Sequence, residues 1–435
     1  MPNPIETLIL GAMTLFAAPD ATLNMSRTQA AGELRQAMAL SSRSGIQAQL
    51  QGLADAGGRA AALLENEDQS REIERLVFDT ASKGLYSVEE AIDRLSRAYQ
   101  TIVGDLEFRI RREAELPRGF PAPTAVGELE LKRYPSYRRV RADAGRAAFW
   151  RLFRHIKAND IAMTAPVEMG MYGEVGNLRE VDMAFLYADP DQGVLGEAGS
   201  VVVLDQAAAW VLSLGCRGSN SERAVESARQ RIERWLTRNT EYVAAGNLRV
   251  MGYNSPMTPA SKRFFEVQIP VQRRVVRFES ESDTKAWQVV NDSVMGGVST
   301  SQMRLSGLGW AIFEGDVSLD NNGGFASVRA EVKDGAFSEA ERIRIRFRGD
   351  GKSYKLRLRT SRQFNAVNYE ASFDTVSGQW MEIDLPIQSF RPVWRGRRVT
   401  DAPVLDSEAI TGVGLMISGG QVGTFRLELA AIDIT

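Results

Sequence analysis

Arg342-Ile-Arg-Ile-Arg-Phe347 alternates charged and apolar side chains without a break. A period of two fits a strand with one face in a core and the other in water, and an amphipathic helix does not repeat that way. From Val275 onward helix-type spacing all but vanishes. Short alternating runs at 311–319, 354–359, 380–385 and 425–434 are separated by Gly, Asn and Asp turns. The pattern predicts an all-β sandwich over 276–435.

The first hundred residues differ. Residues 1–103 are rich in Ala, Leu, Glu, Gln and Arg and read as helical. Ser87 and Glu90 have capping-box spacing, and Val88, Ile92, Leu95, Tyr99 and Ile102 recur every three or four residues behind them. Gly104 is placed at the end of that helix. Leu106, Phe108 and Ile110 then alternate with Glu107, Arg109 and Arg111, which predicts a strand and a domain boundary near Gly104. Between 104 and 275 the order strand, helix, strands occurs twice, with helices over 145–156 and 219–238. The fold class is α+β in three parts: 1–103, 104–275 and 276–435.

A chain of 435 residues is too long for one ordinary core. Its net charge of −2 exerts no general pull on polyanions, so DNA is not an expected partner and RNA would need a local basic patch. Cys216 is the single cysteine, which excludes an internal disulfide and fits a reducing compartment. The apolar stretch 5–18 includes Glu6 and is shorter than the roughly twenty residues a membrane helix needs. It reads as a buried or interfacial helix. No transmembrane segment is expected, and the location is read as cytoplasmic, with a plastid stroma or the periphery of an inner or thylakoid membrane as alternatives.

On the 145–156 helix, Phe149, Leu152, Phe153 and Ile156 share one arc, Trp150 lies to one side, and Met163 follows in the next turn. Core packing accounts for such a stripe. The surroundings add a second reading, because nine Lys or Arg residues, Arg146 and Arg154 among them, lie between Lys132 and Lys157 with Asp143 as the one acid. An aromatic wall with cations at its mouth suits a flat apolar ring with acidic tails. Burying roughly 400 Å² of ring carbon at ~25 cal/mol/Å² yields about 10 kcal/mol gross, so binding without a metal bond is physically reasonable. His155, the single histidine, sits at the edge of the stripe, at the boundary or able to lean over a ring. Cys216 reads as an inert buried thiol. Glu168, Glu174 and Glu266 are available acids that nothing in the sequence pairs, and no catalytic residues are assigned.

Further along, Asn291-Asp-Ser-Val-Met-Gly-Gly-Val-Ser299 and Asn321-Asn-Gly-Gly-Phe-Ala-Ser-Val-Arg329 require tight turns and close backbone approach. Met295 and Phe325 are expected to fill the sandwich. Arg391, Trp394, Arg395, Arg397 and Arg398 form a local basic-aromatic patch, for which a protein partner is preferred.

Two family resemblances rest on these motifs. Glu130-Leu-Lys-Arg-Tyr-Pro135, the 149–156 helix, Ile161-Ala-Met-Thr-Ala-Pro-Val167, Gly252-Tyr-Asn-Ser-Pro-Met-Thr-Pro259 and the 264–269 strand resemble the SOUL haem-binding family over roughly 104–275. Phe265 departs from it, standing where the family commonly has Asn. The resemblance implies a distorted antiparallel barrel flanked by two helices, with haem or another tetrapyrrole held at the first, and under it His155 is either a structural or surface residue or an axial ligand to the iron. The two glycine-rich segments, with Trp287, Phe313-Glu-Gly315, Phe390, Trp394-Arg-Gly396 and Gly420-Gln-Val-Gly-Thr-Phe425, resemble the CIA30 family over roughly 278–435. That implies a jelly-roll sandwich similar to galactose-binding domains and a role in assembling a membrane-bound redox or photosynthetic complex. Subunits of that complex would be the partners of 276–435. Two other readings stay open: an enzyme acting on a bound pigment, and a protein- or carbohydrate-binding module with no tetrapyrrole.

Overall fold

A computed structural model describes residues 25–40, 45–82, 84–174, 176–363 and 366–435, so the apolar stretch 5–18 lies outside the described residues. The chain divides into two compact units. One comprises the described residues up to Asn239 together with Ala244–Val271, and the other comprises Thr240–Val243 with Gln272–Thr435.

The first unit opens with α1 (Met25–Leu40), α2 (Ile46–Leu63), α3 (Glu67–Val77) and α4 (Val88–Leu106). The predicted capping box starts α4: the Ser87 hydroxyl accepts from Glu90 N at 3.2 Å, and the Glu90 carboxylate accepts from Ser87 N at 2.9 Å. Leu95 and Tyr99 of the expected stripe are wholly buried beside Leu34, Leu53 and Ala60.

Gly104 does not stop this helix, which runs on to Leu106. A Cβ at Gly104 would stand 2.5 Å from Arg217 Nη2, so the glycine makes room for the guanidinium that reaches Asp105 at 2.5 Å. The strand expected over 106–110 is absent as well. Leu106 packs among the helices, while Phe108 and Ile110 cover a cluster formed by the barrel strands. Their alternation reflects two different apolar neighbours rather than a ladder. The helices also join α6 (Glu222–Arg238) through Asp68, 5% exposed, which accepts from Arg231 Nη2 at 2.9 Å and Arg238 Nη2 at 2.7 Å.

The remaining elements of this unit are β1 (Leu129–Tyr134), β2 (Tyr137–Asp143), α5 (Ala148–Ala158), β3 (Val167–Tyr172), β4 (Arg179–Leu186), β5 (Gly196–Ala198), β6 (Val201–Gln206) and β7 (Ala209–Arg217). After α6 come β8 (Tyr242–Ala244), of which Tyr242 and Val243 belong to the second unit, β9 (Arg249–Gly252) and β10 (Phe264–Val276), which passes into the second unit at Gln272. The strands pair antiparallel in the order β1-β7-β10-β9-β3-β4-β2-β6-β5. The twofold order of strands, helix and strands is present, with α5 and α6 as the two flanking helices. On α6 the buried positions are Val225, Ala228 and Ile232.

The second unit contains α7 (Glu281–Lys285) and the strands β11 (Gln288–Val289), β12 (Thr300–Leu305), β13 (Ala311–Val317), β14 (Ala326–Glu331), β15 (Arg342–Arg348) and β16 (Ser353–Arg359). They are followed by β17 (Asn368–Asp374), β18 (Trp380–Pro386), β19 (Arg391–Trp394), β20 (Arg397–Arg398), β21 (Gly412–Ile417) and β22 (Gly423–Ile434). One antiparallel sheet runs β12-β13-β22-β15-β18, with the end of β10 also pairing β22. The other runs β11-β14-β21-β16-β17-β19-β20. Phe313, Phe347, Leu356, Val413 and Leu427 are wholly buried between them, as a sandwich requires. On β15, Ile343, Ile345 and Phe347 point inward, and Arg344 on the other face pairs with Asp384 at 2.7 Å.

Candidate functional site: an apolar cavity beside the first flanking helix

Helix α5 is amphipathic, and Ala148, Leu152 and Ile156 close over Val140, Phe185, Tyr187 and Val203. Leu152 and Ile156, predicted to face a ligand, are core residues. Phe149 and Phe153 are half-buried and stack with centroids 6.1 Å apart, and Trp150, 40% exposed, meets the Phe149 ring edge-on at 5.5 Å.

Phe149 and Met163 line a cavity of about 250 Å³, open on one side, together with Val167, Met169 and Met183 of β3 and β4. Tyr253, Phe264 and Phe265 continue the lining, with Phe265 and Val167 both opposite Gly252 on the adjacent β9, and Glu113, Asn220, Asn254 and Arg263 supply polar groups. The loop 253–263 is pinned in place: Ser255 N donates to Glu113 at 2.8 Å, Phe264 N to Asn254 Oδ1 at 2.8 Å, and Arg263 Nε to the Thr258 carbonyl at 2.6 Å. Sequence reasoning missed these three residues because they lie far along the chain from α5 and reach the cavity only when β10 and β9 pair beside β3. The unbroken aromatic start of β10, Phe264-Phe265, was the available signal.

The predicted cations lie elsewhere. Arg146 and Arg154 are exposed, and Arg154 Nε donates to the Trp150 carbonyl at 3.3 Å. Arg138 holds Asp205 at 2.8 Å, and Arg139 holds Glu168. His155 does not line the cavity. Its Nε2 is 2.9 Å from the Tyr187 hydroxyl, and burial keeps the imidazole below its ordinary pKa. Burial likewise pushes the Cys216 thiol up to about 12, so a thiolate is disfavoured there.

Behind the cavity lies a connected polar network. Glu266, wholly buried, accepts from Lys132 Nζ at 2.7 Å, Thr124 N at 2.6 Å, Tyr253 OH at 2.6 Å and Gln268 Nε2 at 3.0 Å. Gln268 Oε1 accepts from Arg249 Nε at 3.0 Å, and Arg249 Nη1 reaches Tyr137 OH at 2.8 Å and Glu168 at 3.3 Å. Two of the three unpaired acids of the sequence are thereby linked, while Glu174 stays exposed. Burial alone would raise Glu266, yet Lys132 and the surrounding donors hold it below the usual carboxylate range. Burial and the neighbouring Glu266 keep the Tyr253 phenol far above its ordinary value, so it stays protonated and donating.

In the second unit the glycine-rich segments serve one carboxylate. Asp292, 1% exposed, accepts from Ser299 N at 2.9 Å and from Ser299 Oγ at 2.5 Å. It also accepts from Gly324 N at 2.7 Å. A Cβ at Gly297 would fall 2.4 Å from Asp292 Cγ, and one at Gly323 would fall 2.6 Å from Asp292 Oδ2. The glycines clear space for that group. Met295 does not fill the sandwich: it is 66% exposed, because the turn around Asp292 directs it outward. The side chains of the basic-aromatic patch lie on the β19–β20 hairpin, where Arg395 sits 4.8 Å over the exposed Trp394 ring.

Comparison with known proteins follows the same division. Residues 123–270 match the family model of the SOUL heme-binding proteins, and residues 276–429 match that of Complex I intermediate-associated protein 30. An uncharacterized protein of Schizosaccharomyces pombe is 28% identical over 166 residues, 34% of this chain and 76% of its own. The mitochondrial Complex I intermediate-associated protein 30 of Drosophila melanogaster is 24% identical over 182 residues, 37% of this chain, and the match spans 62% of the fly protein. Among solved structures, the family 11 carbohydrate-binding module of a Clostridium thermocellum cellulosomal cellulase matches 38% of this chain and 93% of its own, at 16% identity and a TM-score of 0.30. The chain carries a SOUL-type segment joined to a CIA30-type segment.

Proposed function

We propose that this chain binds haem or a related tetrapyrrole in the cavity beside α5, and that its C-terminal unit docks on subunits of a membrane-associated complex during assembly. The observation that carries the first part is the apolar cavity itself, lined by Phe149, Met163, Met169, Met183, Phe264 and Phe265, within the residues that match the SOUL heme-binding model. Rings and thioethers suit a polarisable macrocycle. At about 250 Å³ the cavity lies below the 300–1,000 Å³ of most ligand pockets. An edge-on entry fits that volume, with the Phe149–Phe153 pair and Trp150 extending the apolar surface outside.

A bound haem would supply an iron centre. This chain's part is to bury the ring, exclude water from one face and offer Arg263 and Asn220 to its acidic edge. His155 keeps its Tyr187 partner in this reading, and Met163, Met169 and Met183 are the cavity side chains that offer thioether donors to iron. Residues 104–275 take the binding role and 276–435 the docking role, the latter supported by the match to an assembly-factor family. Among the described residues no helix is long and apolar enough to cross a membrane. The single cysteine supports a reducing compartment such as the cytoplasm, and in this reading the chain works at the periphery of the membrane complex it serves.

The test is a haemin titration of the full chain followed by visible absorbance, with protoporphyrin in parallel. Saturable binding of both that is lost in Phe149→Asp supports the reading. Binding that Phe149→Asp leaves intact places the ligand elsewhere.

A further inference from the structure

Strand β21 lies between β14 and β16, and Gly414 is opposite Arg329 on one side and Arg357 on the other. One step along, Gly412 is opposite Glu331 and Arg359. Val328, Leu356, Leu358, Val413 and Leu415 are at most 1% exposed in the sandwich core, so the alternating arginines belong to the outer face. With strands ~4.8 Å apart, Arg329 on one side and Arg357 and Arg359 on the other flank the two glycines about 10 Å apart. A Cβ at Gly414 would approach the Val328 carbonyl oxygen to 2.8 Å, and one at Gly412 the Ala330 carbonyl oxygen to 3.1 Å. Both glycines are buried, with Arg329 Cβ and the Arg359 stem against them, so the arginine side chains fold over this strip of backbone.

The charges on this face are crowded. Glu370 is shared between Lys355 at 2.8 Å and Arg357 at 3.6 Å, while Glu331 lies 3.6 Å from Arg362. Arg359, 8% exposed, donates to the Gln363 carbonyl at 3.1 Å. Arg357 Nε is buried and has no hydrogen-bond partner among the described residues. Burial first, then Arg359 and Arg357, hold Arg329 below its ordinary pKa. Burial and Arg359 do the same to Arg357 against the opposing pull of Glu370. Half-buried guanidiniums that repel one another are relieved by an anion placed between them, and their planar donor forks match two-oxygen acceptors.

We infer that this arginine cluster binds an oxyanion, the carboxylate or phosphate group of a small-molecule ligand, held by Arg329, Arg357 and Arg359. The site lies wholly within the second unit and is independent of the tetrapyrrole cavity.

The experiment is calorimetric titration of the full chain with inorganic pyrophosphate and, separately, with citrate, at constant ionic strength. Saturable binding at one site per chain is expected for at least one probe, and the preferred probe tells phosphate from carboxylate. Arg357→Gln should weaken it at least about tenfold, while Arg395→Gln on the exposed hairpin leaves it unchanged. A readout on the unaltered protein guards against misfolded variants: the bound probe should protect Arg357 and Arg359 from phenylglyoxal, scored by mass spectrometry. The inference is overturned by absence of saturable binding for both probes, by equal loss in Arg357→Gln and Arg395→Gln, or by unprotected arginines at saturation.

Discussion

The Lys132 ammonium stands 2.7 Å from the Glu266 carboxylate, and both side chains are almost completely shut off from solvent. Removing one partner strands the other charge in the barrel. Glu266→Gln is expected to destabilise the first unit by about 3–5 kcal/mol, measured by urea unfolding. Lys132→Met together with Glu266→Gln should recover part of the loss.

The same pair sets an acid limit. Burial tends to raise Glu266, but Lys132 and the hydrogen bonds prevail and its folded pKa lies below the unfolded value. The stabilisation is therefore present above the usual carboxylate range and is lost as pH falls through the lower folded pKa. Unfolding midpoints from pH 7 downward should drop steeply only in that acid window, and Glu266→Gln should flatten the drop.

Phe149 faces the cavity and Phe153 stacks on it. Phe149→Asp with Phe153→Asp sets two carboxylates against an apolar guest, and haemin affinity should fall at least about a hundredfold. Circular dichroism should stay unchanged, since Leu152 and Ile156 still hold the helix to the barrel.

His155 is occupied by Tyr187 and lies outside the cavity lining. His155→Ala should leave protoporphyrin affinity within about threefold of the parent. Complete loss, read by fluorescence quenching, would show that the imidazole reaches the ring.

Asp292 joins two glycine-rich segments through Ser299 and Gly324. Asp292→Ala leaves buried donors unmet and should cost about 2–3 kcal/mol in the second unit, followed by tryptophan fluorescence in urea.

What the sequence disclosed and what it hid follow from the range of the interactions. The β15 alternation was readable because each residue reports its own face, and the Ser87 cap because both partners lie within one turn. Gly104 was misread because its reason is Arg217, which arrives from β7. Met295 was misplaced because the Asp292 turn, rather than its own hydrophobicity, decides where it points. For the cavity, α5 declared its aromatic stripe, but Met183, Tyr253 and Phe264 converge only after the strands pair. The basic run around α5 misled for a related reason. Arg138 and Arg139 are drawn to carboxylates on other strands that local composition does not reveal.

Strand β10 ends by pairing Arg273 and Arg274 with Ile434 and Asp433, and Gln272 Nε2 donates to Asp433 at 2.6 Å. Anyone excising the C-terminal cassette at residue 276 would cut away the neighbours of a carboxylate that is only 4% exposed. A faithful fragment must begin upstream of Gln272, and pull-downs with a shorter one would sample a frayed edge rather than the native surface.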